Sequence, residues 1–496
     1  METGFRLYKD DETPLYIQTA DTVRASIVEG EFRPGDRLPS VRKLSDELGV
    51  NPATIVAAYR ILTREGFVEA RAGSGAYVAE GAPLVDGPAS ADSGRTSGRG
   101  LIPVSERSHP ENSVAVIDMA ANAPPLDLFP LDDIKRFIVE AIDADGGRAF
   151  EYEDTAGYRP LKTALAVRLA YGRSGSSAVI DPDDVHIVSG AQQGIDLAAR
   201  VLLRRGDVAA VESPGYHGAR DAFVATGARV EAVPLLSDGI DLRSLERLAA
   251  SRPLRLVHVN PIFQNPTGMV YAQNRREELA RLAERYGFYV IEDDLFSDLA
   301  WDGSFIASVR SFDTAGRVIF VKSFSKSLMP GLRIACLEAP PQLRERFESV
   351  KRSIDISSNG LMQRVLERFL SSGRFDEHLA AARLRYRSAY ETFADALEPY
   401  RAAGLSWERP LGGINLWLGL PSGVAARSLA AACLASGCAL APEISFRYEP
   451  SAGLEGDTHV RVSFGSVTAD SLERGALVIG AALGKLGNGR PDAGND

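Results

Sequence analysis

The sequence predicts an α/β protein with a small N-terminal helical module, a linker and a large domain built on a mainly parallel sheet. Apolar residues recur at helical spacing in three short segments before residue 66, and beyond residue 112 helical segments alternate with short apolar strands. The chain has 496 residues and 45% hydrophobic content, which exceeds the size that one core usually serves. We therefore expect at least two domains.

The N-terminal segments predict a helix-turn-helix followed by a two-stranded wing. Gly30 provides a stop for the first helix, and Asn51-Pro52 provides a cap and a first-turn residue for the third. The three expected helices span residues 15–29, 41–48 and 53–65. Residues 67–71 and 76–78 read as strands on either side of a turn at residues 73–75, so we expect a hairpin there.

Composition then marks the domain boundaries. Residues 81–113 are rich in Gly, Ser, Pro, Ala and Arg and lack apolar periodicity, as a flexible linker does. The expected domains are a winged helix at 13–80 and a large domain at 114–486, and the small, polar tail at 487–496 is expected to be disordered.

Charge and cysteine usage exclude several classes of protein. The net charge of −10 argues against a nucleic-acid coat or a membrane-surface protein, so any DNA contact must come from a local patch. Cys336, Cys433 and Cys438 lie in apolar surroundings without metal-ligand spacing, and we expect reduced core residues and no metal site. Neither a signal-like start nor a run of membrane-spanning length occurs, which predicts a soluble cytoplasmic protein.

The N-terminal module carries a long family motif. The stretch GEFRPGDRLPSVRKL at residues 30–44, with further matches at 48–55, 58–59, 65–66 and 73–75, resembles the winged-helix domain of the GntR family of bacterial regulators. The resemblance implies a third helix in the major groove, with phosphates held around it. The candidate DNA contacts are Arg37, Ser40, Arg42, Asn51, Thr54, Arg60 and the wing glycines Gly73 and Gly75.

A helical bundle whose arginines only solvate its surface is the alternative for this module. The acidic residues Asp36, Asp46, Glu47 and Glu65 favour that interpretation. The wing glycines and the Leu-Pro-Ser-x-Arg motif have no obvious purpose in a bundle, so DNA binding is the preferred interpretation.

In the large domain, five short apolar segments separated by helical ones predict parallel strands covered on both faces. They are residues 185–187, 208–211, 255–258, 289–291 and 318–321.

One segment of the large domain predicts a cofactor. In Ser323-Phe324-Ser325-Lys326 a lysine follows two serines, and Arg333 lies seven residues further on. Pyridoxal 5'-phosphate (PLP) needs such a set, because the amine forms a Schiff base with its aldehyde while hydroxyls and a guanidinium hold its phosphate. We therefore predict Lys326 as the catalytic Schiff-base lysine, with Ser323, Ser325 and Arg333 around the phosphate.

Further motifs occur in a fixed order: SGAQQG at 189–194, ESPGY at 212–216, QNPTG at 264–268 and EDD at 292–294. With them, residues 114–486 resemble the fold-type-I aminotransferases, and the fusion to the N-terminal module resembles the MocR-type subgroup of GntR regulators. By this resemblance, Ala191 and Gln192 lie at the phosphate, Tyr216 stacks on the ring, Asn265 bonds the ring 3-oxygen and Asp293 pairs with the ring nitrogen.

The resemblance also implies two more distant contacts. Tyr152 would reach the phosphate of a neighbouring subunit, and Arg461 would take the ligand carboxylate, which suits its planar guanidinium. Simpler alternatives remain for each motif: an ordinary strand-to-helix turn at 189–194, plain packing for Tyr216, a surface acid pair for Asp293 and a structural ion pair for Arg461.

Two positions depart from the family pattern. Leu295 and Phe296 stand where many relatives carry a tyrosine whose hydroxyl reaches the ring oxygen, and its loss disfavours efficient transamination. Residues 122–125, Asn-Ala-Pro-Pro, stand where a Gly-x-Pro is usual, so the resemblance does not predict the shape of the ligand pocket.

Three functions follow from these predictions. The first is a PLP-dependent transcriptional regulator that binds operator DNA as a head-to-tail homodimer and senses an amino-acid-like or amine effector through the Lys326 aldimine. The second is an active aminotransferase with an accessory DNA-binding domain. The third is a regulator that senses PLP itself. Whether the site supports turnover is left open at this point.

Overall fold

The computed structural model describes residues 15–28, 32, 34–64, 67–71, 75–79, 117–171, 179–448 and 457–487. The chain forms two compact units, Met1–Ser108 and His109–Asp496, called here the N-terminal unit and the second unit. The predicted linker at 81–113, the tail beyond residue 487 and Gly73 lie outside the described residues.

The described residues of the N-terminal unit form three helices and a hairpin: α1 (Leu15–Val28), α2 (Val41–Leu48), α3 (Pro52–Arg64), β1 (Val68–Arg71) and β2 (Gly75–Val78). The Ser40 hydroxyl accepts from the Lys43 amide at 3.3 Å and so begins α2, and Gly49 ends it with a φ of 62°. The Asn51 carboxamide accepts from the Ala53 amide at 2.9 Å at the start of α3.

Apolar residues from every helix and from both strands form the core of this unit. Val23 of α1, Leu44 of α2, Ile55 of α3 and Val68 of β1 are almost fully buried in one cluster, and the strands pair antiparallel. The predicted winged helix-turn-helix fold is therefore confirmed.

The described part of the second unit contains both helices and strands. Its helices are α4 (Leu131–Asp145), α5 (Arg159–Tyr171), α6 (Ala191–Leu202), α7 (His217–Ala225), α8 (Leu242–Ser251), α9 (Gln273–Tyr286), α10 (Arg344–Asp355), α11 (Gly360–Ser371), α12 (Arg374–Leu397), α13 (Ala426–Ala435) and α14 (Ala469–Gly487). Its strands are β3 (Ile117–Asp118), β4 (Val185–Val188), β5 (Val208–Ser213), β6 (Arg229–Leu236), β7 (Gly239–Ile240), β8 (Leu254–Val259), β9 (Tyr289–Asp294), β10 (Val318–Ser323), β11 (Ala335–Glu338), β12 (Asn415–Gly419), β13 (Cys438–Ala439), β14 (Ala441–Pro442) and β15 (His459–Ser463).

An eight-stranded sheet organises the second unit, in the order β4-β11-β10-β9-β8-β5-β6-β7. The pairs from β10 through β9, β8 and β5 to β6 are parallel, whereas β11 and β7 run antiparallel to their neighbours. The five predicted strands all occur in it, so the predicted mainly parallel sheet is confirmed. The strands β6, β7 and β11 were not predicted.

Helices cover both faces of the sheet. Along β5, Ala209 and Val211 join a core cluster with Phe223 of α7, whereas Val208 and Ala210 join a different cluster with residues of α8 and α9. Alternate side chains of a strand point to opposite faces, so both faces of the sheet are buried under apolar side chains. A third cluster packs α11, α12 and α14 around the smaller sheet β12-β15-β14.

All three cysteines are buried and form no disulfide, which confirms their prediction as reduced core residues. In the ranges that the structure describes, none of the helices combines the length and the apolar character needed to cross a bilayer.

Candidate functional site

The candidate cofactor residues lie at one edge of the large sheet. Strand β4 runs in the same direction as β10, because β11 is antiparallel to both, and β5, β8 and β9 are parallel to β10 as well. The motifs with Ala191, Tyr216 and Asn265 follow β4, β5 and β8, while Asp293 and Ser323 lie in the last residues of β9 and β10. Ligands of open α/β sheets bind at this edge.

Asp293 is a buried carboxylate with an open oxygen. The residue is 1% exposed, and its Oδ1 finds no hydrogen-bond partner within the described residues. Burial raises the pKa of this carboxyl, and the His258 Nε2 lies 3.5 Å from its Oδ2. A buried carboxylate needs a cation or a proton, and the protonated ring nitrogen of PLP would supply it. The residue therefore fits the cofactor.

Tyr216 and Gln192 lie on the same side as His258. The rings of Tyr216 and His258 have centroids 6.5 Å apart, and the Tyr216 hydroxyl donates to the Gln192 Oε1 at 2.8 Å. The Gln192 Nε2 in turn donates to the Gly218 carbonyl at 2.8 Å. These bonds hold the candidate ring-stacking tyrosine against the first turn of α6, where Ala191 is the first residue.

The start of α6 and Arg333 form a place for an anion. Gly190 precedes the helix with a φ of 96°, and a Cβ at this position would come within 2.6 Å of the Arg333 Nη2. That nitrogen donates to the Ser189 carbonyl at 2.9 Å. Free amides at a helix N-terminus beside a guanidinium suit a phosphate, and only glycine leaves the guanidinium room.

The candidate Schiff-base lysine is held by the segment that departs from the family pattern. The Lys326 Nζ donates to the Asn122 carbonyl, and the side chain is half-buried. Ser323 is 3% exposed, and its hydroxyl accepts from the Ser325 amide at 3.3 Å. Asn122 therefore belongs to this site through its backbone.

Arg461 contacts the candidate ring-oxygen ligand directly. Its Nη1 donates to the Asn265 Oδ1 at 2.8 Å, and its guanidinium lies 4.9 Å from the centre of the Phe446 ring. The residue is 7% exposed and also donates to the Ala120 carbonyl. A guanidinium between an amide and an aromatic face can take a planar carboxylate.

Three site-supporting residues were missed by the sequence predictions: Glu212, His258 and Asn260. The buried Glu212 carboxylate accepts from the Asn260 amide at 2.8 Å, from the Gln264 Nε2 at 3.0 Å and from the Tyr271 hydroxyl. Burial raises its pKa. The Asn260 side chain joins the Asp293 carbonyl, at 2.6 Å, to the Asn265 amide, at 2.7 Å. Polar residues at the ends of apolar strands were the signal that could have found them.

The candidate DNA contacts lie on the N-terminal unit. Arg42 and Arg60 are exposed, and Thr54 is partly buried. The side chains of Ser40 and Asn51 serve as helix caps. Arg37 lies beside Gly75, which has a φ of 115°.

Comparisons with known proteins match the same two units. Residues 15–78 match the family described as Bacterial regulatory proteins, gntR family, and residues 114–479 match Aminotransferase class I and II. The HTH-type transcriptional regulator TauR of Rhodobacter capsulatus is 32% identical over 97% of this chain and 99% of its own. The probable rhizopine catabolism regulatory protein MocR of Rhizobium meliloti is 29% identical over 83% of this chain and 82% of its own.

The chain belongs to the MocR-type GntR regulators. Solved structures similar to this MocR-type regulator include the kynurenine aminotransferase of Pyrococcus horikoshii, with a TM-score of 0.69 and 29% identity over 75% of this chain and 92% of that one. LysN of Thermus thermophilus has a TM-score of 0.68 and 29% identity over 75% and 93%. The GntR module implies DNA binding, and the aminotransferase fold implies a PLP cofactor and is typical of dimers.

Two further sequence predictions for this MocR-type regulator concern Tyr152 and Phe296. Tyr152 is 83% exposed. Phe296, which replaces the family tyrosine, is fully buried among apolar residues. The individual roles of the site residues and of the DNA contacts stay predictions.

Proposed function

We propose that the chain is a PLP-dependent transcriptional regulator that senses an amino compound through the Lys326 aldimine. The observation that carries this proposal is the fusion of a DNA-binding module to a sheet edge where Asp293, Asn265 and Arg461 are buried close to one another. A regulator needs a site that recognises its signal, and this edge offers groups for the cofactor and for a carboxylate.

Each residue at the edge has a distinct task in this proposal. When bound, PLP supplies an aldehyde that reacts with amines and a ring that withdraws electrons. Asp293 would keep a proton on the ring nitrogen, and Asn265 would donate to the ring oxygen. The backbone amides of Ala191 and Gln192 and the side chains of Ser323, Ser325 and Arg333 would hold the phosphate.

The ligand in this proposal carries both an amine and an acid group. Lys326, whose Nζ donates to the Asn122 carbonyl, would hold the cofactor, and the amine of the ligand would exchange with it and release the lysine amine. Arg461 holds the carboxylate with its planar fork. An effector with both groups is thereby oriented at two points, which favours amino-acid-like compounds over simple amines.

We further propose a head-to-tail homodimer that binds two half-sites of an operator. The exposed Tyr152 supports this arrangement, because its hydroxyl would reach the phosphate of the neighbouring subunit. Two paired winged helices fix the spacing of the half-sites, and a ligand that binds one arrangement of the dimer better changes DNA affinity.

The test mixes the purified, PLP-loaded protein with a panel of amino acids and follows the cofactor absorbance. A stable ligand-dependent spectrum without keto-acid release is expected, together with altered operator binding for the same compound. Conversion to the pyridoxamine form with keto acid would instead show an aminotransferase. A spectrum unchanged by every amine, with operator binding that responds to PLP alone, would identify a regulator of the PLP-sensing kind.

A further inference from the structure

A cavity of about 180 Å³ is lined in part by residues of strands β9 and β10. Asp294 and Lys322 line it, whereas their neighbours Asp293 and Ser323 belong to the candidate cofactor edge. Successive side chains of a strand point to opposite faces of a sheet, so the two sites share two strands but no side chain of either. None of the functions proposed above uses this cavity.

Most charges in the lining of this cavity are already neutralised. The Lys322 Nζ lies 2.9 Å from a carboxylate oxygen of Asp294 and 2.9 Å from one of Asp298, and it donates to the Ser297 hydroxyl at 2.8 Å. The buried ammonium therefore has two counterions, and it needs no further anion.

Two arginines of the lining are paired in the same way. The Arg310 Nη2 lies 3.1 Å from a Glu338 oxygen. The Arg168 Nη1 lies 2.8 Å from an Asp376 oxygen, and its Nη2 lies 3.5 Å from Asp298. Each of these guanidiniums has a carboxylate within ion-pair distance.

Arg383 is different. Its Nε donates to the Asp298 backbone carbonyl at 2.8 Å, and within the described part of the second unit no carboxylate lies within 4.0 Å of its guanidinium. Its Nη1 lies close to Gly303, where an added Cβ would come within 3.3 Å of it. Among the four cations of the lining, Arg383 is therefore the one without a carboxylate at ion-pair distance in the described residues, since Arg168 and Arg310 also pair with Asp376 and Asp313 just outside the lining.

The rest of the wall is apolar. Leu165 of α5, Phe305 of the loop before residue 309, and Phe320 of β10 all line the cavity. A liquid water occupies about 30 Å³, so the cavity could hold roughly six waters or one small ring with a short substituent. An apolar body with a single negative group matches both the apolar wall and the Arg383 guanidinium.

We propose that this cavity binds a small organic acid, with its carboxylate on Arg383 and its apolar body against Leu165, Phe305 and Phe320. A carboxylate would form charge-assisted hydrogen bonds to the Arg383 guanidinium, which has no ion-pair partner among the described residues. The site is separate from Arg461 and does not depend on the proposed function.

The entrance is the loop that carries Phe305. This side chain is 51% exposed and lines the 180 Å³ cavity together with two neighbouring surface cavities of about 610 and 920 Å³. Phe305 therefore stands between the inner cavity and solvent, and a rotation of its ring would open a way in.

The test uses 4-fluorobenzoate as the probe, observed by ¹⁹F NMR on the full-length, PLP-loaded chain. A saturable change of the fluorine signal is expected, and none with neutral 4-fluorobenzamide. Arg383→Gln should weaken binding at least tenfold, and Arg383→Lys should restore part of it because the charge returns without the fork.

Arg385→Gln is the matched control, since Arg385 lies on the same helix but donates to the Val467 carbonyl at 3.4 Å. It should bind the probe as the unaltered chain does, and thermal melting checks that each variant is folded. Two results overturn the proposal: no saturable change with the unaltered chain, or binding that survives Arg383→Gln and is lost in Arg461→Gln. The second result would place the acid at the cofactor edge.

Discussion

The two units hold their candidate functional groups in opposite ways. In the N-terminal unit Arg42 and Arg60 are exposed, and the apolar core lies apart from them. In the second unit Asp293, Asn265 and Arg461 are at most 7% exposed and bond to other buried groups. Exposed contacts can change without affecting the fold, whereas buried polar groups contribute to recognition and to stability at once.

This difference means that cofactor and stability are linked in the second unit. Burial imposes on Asp293 a desolvation cost that raises its pKa, although the His258 Nε2 lies 3.5 Å from its Oδ2. A group that binds only the folded chain and satisfies this carboxylate stabilises that chain by mass action. The N-terminal unit has no comparable buried charge among its described residues, so its stability should not depend on a small molecule.

The largest expected effect follows from Lys326→Ala. We expect complete loss of the covalent linkage to PLP, because Lys326 supplies the amine of the proposed Schiff base. No other described lysine follows Ser323 and Ser325 in this segment. Borohydride reduction and peptide mass spectrometry of the unaltered chain should place the added mass on Lys326. The exposed Lys485 provides the control, and Lys485→Ala should label normally. Undiminished labelling of Lys326→Ala would contradict the proposal.

Asp293→Asn tests the link between buried charge and binding. Hydrogen bonds to charged groups contribute about 1.5–3 kcal/mol, so PLP affinity should fall by roughly 10- to 100-fold. The cofactor-free variant should melt about 2 °C or more above the cofactor-free unaltered chain at neutral pH, because the desolvation cost of a buried carboxylate has been removed. Fluorescence titration with PLP measures the affinity, and calorimetry measures the melting temperature of the cofactor-free chain. The affinity must fall and the melting temperature must rise; any other combination would contradict this prediction.

Glu292 provides a pH test of how a buried carboxylate affects the stability of the second unit. Burial raises the pKa of its carboxyl to about 8, although the amides of Val309 and Arg310 donate to it at 2.9 and 2.8 Å. The pKa is about 4.3 when unfolded, so the folded chain binds more protons between about pH 4.3 and 8 and stability falls as pH rises through that window.

Glu292→Gln should reduce the fall of the free energy of unfolding with pH by up to about 1.4 kcal/mol per pH unit. Unfolding curves between pH 5 and pH 8 give the slope. Glu284→Gln, on an exposed position of α9, should leave it unchanged. Equal slopes in the unaltered chain and Glu292→Gln would mean that this carboxylate is ionised throughout.

The smallest effects are expected on the exposed side of the comparison. Arg42→Ala and Arg60→Ala should each weaken operator binding several-fold and, for a phosphate contact, reduce the salt dependence by about one ion. The free energy of unfolding should change by less than about 0.5 kcal/mol. Arg247→Ala removes the same charge from an exposed position of α8 and should leave DNA binding intact. A large loss of stability in either variant would break the contrast between the two units.

Local signals in the sequence were enough for much of the fold. The helix at 41–48 was predicted from its amphipathic pattern with the bounds it has, and in the structure Ser40 and Gly49 cap its two ends. The strands β9 and β10 were predicted from apolar runs, and they extend to Asp294 and Ser323 because pairing continues into the polar residues. The motifs indicated which residues lie at the carboxyl edge.

Non-local pairing explains what the sequence could not predict. Strand β11 lies between β4 and β10, although about 150 residues separate β4 from it, and no local pattern encodes such a neighbour. The proximity of Arg461 to Asn265 depends on β15, which belongs to a different sheet. The pairing of His258 with Asp293 likewise arises only when β8 and β9 align.

The hydrogen bonds to Glu212 have a kinetic consequence. One carboxylate ties the backbone after β8, the loop with Gln264 and the Tyr271 ring together, and Asn260 extends the bonds to Asp293 and Asn265. The described chain therefore assembles this part of its pocket from protein groups alone. Cofactor capture then needs no ordering of these loops, and it should proceed as a simple bimolecular encounter whose rate rises linearly with PLP concentration.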